Sequence, residues 1–304
     1  MKTFLYNLPA CLLIALFSIS PASATAEETA RPAPRAFGGV GAAWGPAGEG
    51  VPVGKFSALL NYTHAETDGI RLRDDELNDN VKLTKNVGVV KFRYGIAPGL
   101  DIRSATPIYD VKKEVRATND TDHYGLIGDT AVALHKVVMN QAEGAPFSLA
   151  FDAGVILPTA DGGKNNNDYT GNQAWGAGGG VGLTYFLGAN RFDQELYYYT
   201  FTDGEHDYRK PNMFRGLTGW AYALSNAFDV GVESHLGWDG ESERFDRKQN
   251  DARWEWYVGP KVVFKNQPTG TVIGVLVTLP VYRDYDSPTP SDGYRFEVKL
   301  VKVF

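Results

Sequence analysis

With 304 residues and 30 Lys and Arg against 36 Asp and Glu, the chain is mildly acidic, which argues against nucleic acid as a partner. Its one cysteine, Cys11, falls in a stretch read below as a cleaved export signal, so the expected mature chain has no disulfide and no thiolate metal site. No later stretch reaches the roughly 18–20 apolar residues of a transmembrane helix, and the Tyr-, Phe-, Trp- and Gly-rich composition suits a soluble β-sandwich or a membrane β-barrel.

Residues 1–24 carry one charge, Lys2, then an apolar run from Ala10 to Ile19 and the small residues Ala22-Ser23-Ala24. A basic start, a short apolar middle and a small-x-small end describe a signal peptide cleaved after Ala24. Cys11 precedes the apolar run, whereas a lipidated cysteine follows it. Residues 25–54 are rich in Ala, Pro and Gly (Arg31-Pro32-Ala33-Pro34-Arg35, Gly38-Gly39-Val40-Gly41, Gly45-Pro46-Ala47-Gly48) and show no periodicity. They read as a flexible extension, lying in the periplasm or entering a barrel lumen.

From residue 55 to residue 304 strand-like runs alternate with turns, about twelve in all. They are Lys55–His64, Lys82–Ile96, Asp101–Val111, Tyr124–Met139, Pro146–Pro158, Ala174–Leu187, Phe192–Thr202, Met213–Leu224, Phe228–Trp238, Arg253–Lys265, Thr271–Tyr282 and Gly293–Phe304. Short turns follow the even-numbered runs, as at Ala97-Pro98-Gly99-Leu100. Longer polar loops follow the odd-numbered ones: Ala65–Val81, Lys112–His123, Thr159–Gln173, Asp203–Asn212, Asp239–Ala252 and Arg283–Asp292. A sandwich has no reason to alternate so regularly, whereas a transmembrane, antiparallel, up-and-down β-barrel has short periplasmic turns and longer outer loops.

Period-two alternation gives each run an apolar face and a charged one. In a membrane barrel the apolar face meets lipid and the charged face the lumen. The lumen-lining candidates are Lys91, Arg93, Arg103, Asp129, His135, Asp152, Glu195, Tyr197, Tyr199, Arg215, Asp229, Glu233, His235, Arg253, Glu255, Tyr257, Lys261, Arg295, Glu297 and Lys299. Gly176, Gly178, Gly180 and Gly182 share one face and leave room for neighbouring side chains or a plug. Tyr62, Tyr94, Trp220, Trp238, Trp254, Tyr282, Tyr294 and Phe304, near strand ends, suit interfacial girdles.

Several short motifs carry a family resemblance: Gly125-Leu126-Ile127-Gly128-Asp129, Leu157-Pro158-Thr159 with Asp161-Gly162, Gly171, Tyr197-Tyr198-Tyr199, Pro260, and Leu279-Pro280. On these the chain resembles the outer-membrane transporter family of the phenol-degradation meta-pathway type. The resemblance implies a β-barrel in the bacterial outer membrane, a role in transport, and no catalytic set.

The expected function is passive diffusion of small, aromatic or weakly polar solutes. Inward charges of both signs also suit internal pairing that fills the lumen, and a structural barrel working through its loops is a third reading. A lipid hydrolase needs a nucleophile beside a base, and Ser234 and His235, adjacent on a strand, point to opposite faces. The five histidines are scattered, and Asp161 with Asn165, Asn166, Asn167 and Asp168 reads as a polar loop before a calcium site, so neither metal nor cofactor is expected. Expected partners are outer-membrane lipid and lipopolysaccharide, the barrel-assembly machinery and a small-molecule solute.

The last run alternates cleanly from Tyr294 to Leu300, slips at Lys302 and closes on Phe304, like the final strand of bacterial outer-membrane barrels. Lys302 can snorkel to head groups. Phe304 is therefore expected to act as the assembly signal. Its replacement by a polar residue should lower the heat-modifiable barrel recovered from membranes; normal insertion of that variant would refute the assignment.

Overall fold

A strand crossing hydrocarbon has no water to bond its backbone, so each N–H and C=O must find a partner in the next strand, and only a closed ladder leaves no edge. The computed structural model describes residues 35–42, 47–160 and 173–304. Among these residues twelve long strands close such a ladder: β1 (Phe56–Leu72), β2 (Val81–Ala97), β3 (Leu100–Val115), β4 (Thr130–Met139), β5 (Ser148–Leu157), β6 (Gly176–Leu187), β7 (Asn190–Phe201), β8 (Met213–Ala223), β9 (Phe228–Asp239), β10 (Arg253–Asn266), β11 (Thr271–Tyr285) and β12 (Thr289–Val303). Each pairs antiparallel with its sequence neighbour, and β12 returns to β1 from Ser57↔Val303 to Arg71↔Thr289. The expected all-β, up-and-down barrel of about twelve strands is the observed one.

Short connections gather at one end. Gly99 and Gly270 close two of them at φ of +64° and +63°, the left-handed region where a side chain is strained. At the same end Phe56 stacks on Phe92 at 5.6 Å and leans on Phe304 at 5.9 Å, while Phe228 and Phe264 lie 5.3 Å apart. Trp238 and Trp254 pair at 6.0 Å toward the other end. Between them Leu60, Ile102, Leu134, Val155, Val232, Val262 and Val277 are exposed on the outer surface, an apolar belt.

Several strands outrun their expected bounds. β1 continues to Leu72, β3 to Val115 and β11 to Tyr285, Asp75–Asn78 adds rungs where a loop was expected, and Asp120–Ile127 begins four residues ahead of the expected fourth strand. Both faces of these rungs carry polar residues, so apolar alternation stops marking the strand although pairing continues. Charge pairs hold the rungs: Lys82 to Glu66 at 3.2 Å, Lys85 to Asp292 at 2.7 Å, and Arg73 to Asp286.

The expected continuous fourth strand is broken at Gly128-Asp129. Ala105 faces Ala131, but Ile108 faces Ile127, a one-residue slip. Gly128 N–H donates to the Pro107 carbonyl at 2.8 Å, and a Cβ there would sit 2.6 Å from the Pro107 ring. Asp129 thus leaves the strand and lies at the rim.

Candidate functional site

The inner face is a set of buried charges whose partners come from the wall and from the segment ahead of β1. Residues 35–42 and 47–54, expected to be a flexible extension, run inside the short-turn half of the barrel. Glu233 on β9 accepts the amides of Val40 and, at 2.9 Å, Gly41, and is also 2.9 Å from Lys261 Nζ on β10. Lys299 on β12 donates to the Gly39 carbonyl at 2.6 Å, Lys91 on β2 to the Ala42 carbonyl at 2.8 Å, and Asn61 on β1 to the Val40 carbonyl at 3.1 Å. Asp229 takes the Phe37 amide at 2.7 Å and pairs with Lys265, which also donates to the Arg35 carbonyl at 2.9 Å.

The second half of the segment is held on the opposite wall. Asp101 accepts the Val51 amide at 2.9 Å and Arg103 Nε at 2.6 Å; Arg103 also donates to the Glu49 carbonyl at 3.1 Å. Arg191 lies 2.6 Å from the Glu49 carboxylate and 2.8 Å from Asp193. Thr184 accepts the Gly48 amide at 3.0 Å. Ala47 passes so close to Gly182 that a Cβ there would overlap its backbone, and Gly178 and Gly180 lie against the rings of Tyr199 and Tyr197. The glycines of β6 give the segment and the β7 tyrosines their space.

Behind these rings Tyr197 donates to Asp152 at 3.0 Å, His135 Nδ1 lies 3.0 Å from the same carboxylate, and Arg103 approaches it at 4.0 Å. Arg93 is buried 4.0 Å from Asp101. Tyr199 stacks on Tyr197 at 6.2 Å.

Above the segment lies a cavity of about 300 Å³ lined by Gly41, Glu195, Tyr197, Arg215, Leu217, His235, Asp239, Arg253, Glu255 and Arg295. Arg215 and Arg253 both pair with Asp239, at 2.6 and 2.5 Å. Arg295 pairs with Glu255 at 2.7 Å, and its guanidinium lies 3.7 Å from the centre of the Tyr257 ring. His235 sits 3.2 Å from Glu233 and 3.5 Å from Glu297, at the floor. Guanidinium groups beside aromatic rings favour a flat, electron-rich or anionic guest.

At the outer mouth the loops after β7 and β9 form one small sheet of Tyr208–Arg209, Glu243–Arg244 and Arg247–Lys248. Burial lifts the Tyr208 phenol above its usual value, so it stays a neutral hydrogen-bonding group beside Ser242. Asp129 accepts Lys210 at 2.7 Å and the Ala160 amide at 3.1 Å, joining three outer connections at the rim.

Nineteen of the twenty sequence-derived candidates lie along inward-facing strand positions; Asp129 is the one moved to the rim. Arg215, Arg253, Glu255, His235 and Arg295 meet in the cavity, and most of the others meet the N-terminal segment or the Asp152 cluster. Asn61, Asp101, Thr184, Arg191, Asp193, Lys265 and Asp239 were missed. Asp101 and Lys265 share the parity of Arg103 and Lys261 and were legible; Arg191 fell just outside the expected strand.

Ser234 accepts Trp256 Nε1 at 2.7 Å on the outer face, whereas His235 turns inward. Among the described residues no group of three or more His, Cys, Asp or Glu side chains is placed to hold a metal. The expected signal peptide, residues 25–34 and the Asp161–Asp168 loop lie outside the described residues.

Residues 65–300 match the model of the family described as "Putative MetA-pathway of phenol degradation". Among solved structures, an outer membrane channel from Pseudomonas putida F1 is similar at 15% identity with a TM-score of 0.70, over 84% of this chain and 98% of that one. A FadL homologue from Pseudomonas aeruginosa matches at 10% identity and a TM-score of 0.42, over 82% and 90%. No curated protein matches. The closed barrel and the family match place the chain in the bacterial outer membrane.

A hydrogen bond to a charged acceptor contributes about 1.5–3 kcal/mol. Glu233→Gln should therefore raise hydrogen exchange at the Val40 and Gly41 amides about tenfold or more, with the barrel still heat-modifiable. Unchanged exchange would show that Glu233 does not anchor the segment.

Proposed function

The chain belongs to the phenol-degradation MetA-pathway family, and from that premise we propose that it is an outer-membrane channel for small aromatic solutes, moving by passive diffusion. The observation that carries this reading is the cavity of about 300 Å³ with Arg215, Arg253 and Arg295 at its wall and Tyr197 beside them. Two of these guanidiniums share one carboxylate, Asp239, so the group holds hydrogen-bonding capacity for a phenolate or carboxylate guest. A planar ring finds flat partners in Tyr197 and in the Arg295–Tyr257 stack.

Below the cavity the lumen is filled by residues 35–42 and 47–54, so axial passage requires this segment to withdraw or shift. The dense pairing of Glu233, Asp229, Asp101 and Arg191 with the segment favours, as a second reading, a barrel whose interior is closed at rest. A hydrolase has no support in the geometry, since Ser234 faces outward and His235 inward. The same reading gives lipopolysaccharide as the neighbour of the outer rungs and the assembly machinery as the receptor of β12.

Planar-bilayer conductance and uptake of phenol and benzoate test this. The intact protein should show small, infrequent openings, and deletion of residues 35–54 should give larger and longer ones. Benzoate uptake should fall in Arg215→Gln with Arg253→Gln. A barrel that neither conducts nor speeds uptake, with or without the segment, would refute the channel.

A further inference from the structure

A lipid-facing side chain in the middle of the membrane is expected to be apolar, since lipid tails offer no hydrogen-bond partner. Over most of the belt this holds: at Leu60, Ile102, Leu134, Phe151 and Val155 the outer surface is apolar and exposed. Across β7, β8 and β9 it does not. Gln194, Thr218 and Ser234 stand side by side in one row, Thr218 facing Gln194 on one neighbouring strand and Ser234 on the other. They share the outward parity of Trp220 and Val232, and all three are half-buried.

The row lies within the hydrocarbon. On β9 and β10 the pair Phe228 and Phe264 marks the short-turn interface and the pair Trp238 and Trp254 the other, and Ser234 falls between them. For strands tilted about 40° and rising about 3.3 Å per residue, the row stands about 10–15 Å above the short-turn ends, near the middle of a band about 25 Å tall.

Its groups bond one another only in part. Thr218 donates to Gln194 Oε1 at 2.7 Å, and Gln194 Nε2 donates to the Leu217 carbonyl at 3.0 Å. Trp256 Nε1 donates to Ser234 Oγ at 2.7 Å. The Ser234 hydroxyl, an acceptor there, keeps its own proton to give; Thr218 Oγ1, a donor, keeps its lone pairs, and Gln194 Oε1 keeps one. Next to the row, toward the outer mouth, Gly216 leaves a hollow between Leu196 and Leu236: a Cβ there would lie 3.5 Å or more from either side chain. Small residues beside hydroxyls let two protein surfaces approach closely in lipid and bond across the contact.

Depth and chemistry together select the occupant. A neighbour in the same membrane meets the row only if its own polar groups lie at the same height. A second copy turned about a two-fold axis along the membrane normal does so necessarily, because that rotation leaves height unchanged. Hydroxyl and amide groups both donate and accept, so the row is complementary to itself. We propose that the outer face of β7–β9 is a dimer interface, in which Gln194, Thr218 and Ser234 of two copies bond across the two-fold axis and Gly216 admits the facing wall. The interface is independent of what the lumen carries.

Cross-linking in outer membranes tests it. Cys11 is the only cysteine, so introduced ones report alone in a Cys11→Ser background. Val232→Cys and Leu236→Cys flank the row, and Leu60→Cys on β1, across the barrel, is the control; each is treated with a short bis-maleimide, folding being checked by heat-modifiable migration. A band at twice the mass of the barrel should form from the first two and not from the control. In purified barrels, Gln194→Leu with Thr218→Val and Ser234→Ala should weaken the dimer about tenfold by sedimentation equilibrium, the loss expected for two hydrogen bonds in a membrane. Thr218→Val alone, which keeps the shape of the side chain, should weaken it in the same direction. Absence of the dimer band, equal cross-linking from Leu60→Cys, or a dimer untouched by the substitutions overturns the interface. A cross-linked band of another mass, or a monomer holding lipid at the row, overturns the second copy as its occupant.

Discussion

The absence of water in hydrocarbon governs this molecule. It forces the backbone into a closed ladder and turns the charged half of each alternating strand inward. The interior then holds carboxylates and ammonium groups that no longer face bulk water and must be bonded where they stand. Wall-to-wall pairs such as Glu233–Lys261 satisfy part of this need. The rest is met by a segment whose side chains are mostly small and whose peptide groups do the bonding. Val40 and Gly41 give amides to Glu233, while Gly39 and Ala42 give carbonyls to Lys299 and Lys91. Ala and Gly suit that role, because a peptide group reaches a buried charge only when no large side chain intervenes.

The same requirement divides the lumen into two levels. In the short-turn half, wall charges and segment are mutually satisfied and leave little free volume. Above it, guanidinium groups share carboxylates around a cavity. Gly178, Gly180 and Gly182 belong to both levels, giving up their own side-chain volume to the tyrosines of β7 and to Ala47.

The barrel was legible in the sequence because the two faces of each strand meet different solvents, lipid and lumen, over its membrane-crossing part. Legibility ended where that difference ends. Residues 65–72 and 112–115 continue as strand with polar residues on both faces, and the step at Gly128-Asp129 depends on Pro107, which lies next to it only in the folded wall. For the site, parity found Lys91, Glu233 and Lys299 but not their partners. Those partners are main-chain atoms of residues 35–42, and an aperiodic Ala- and Gly-rich stretch has no pattern to announce them.

The segment inside the barrel is joined to β1 through Val51–Lys55, where Gly54 N–H bonds the Gly95 carbonyl and Gly95 N–H the Lys55 carbonyl. A ligand tethered this closely faces its receptor at an effective concentration on the order of millimolar, with no diffusional search to repeat. Each contact of the segment can therefore be weak while its occupancy stays near complete. A free solute competing for Glu233 or Arg191 would need to approach that concentration to displace it. Occupancy of the lower lumen is in this sense buffered against the medium, and it responds to forces on the tether, such as a pull on the chain ahead of residue 35, more readily than to the abundance of solute.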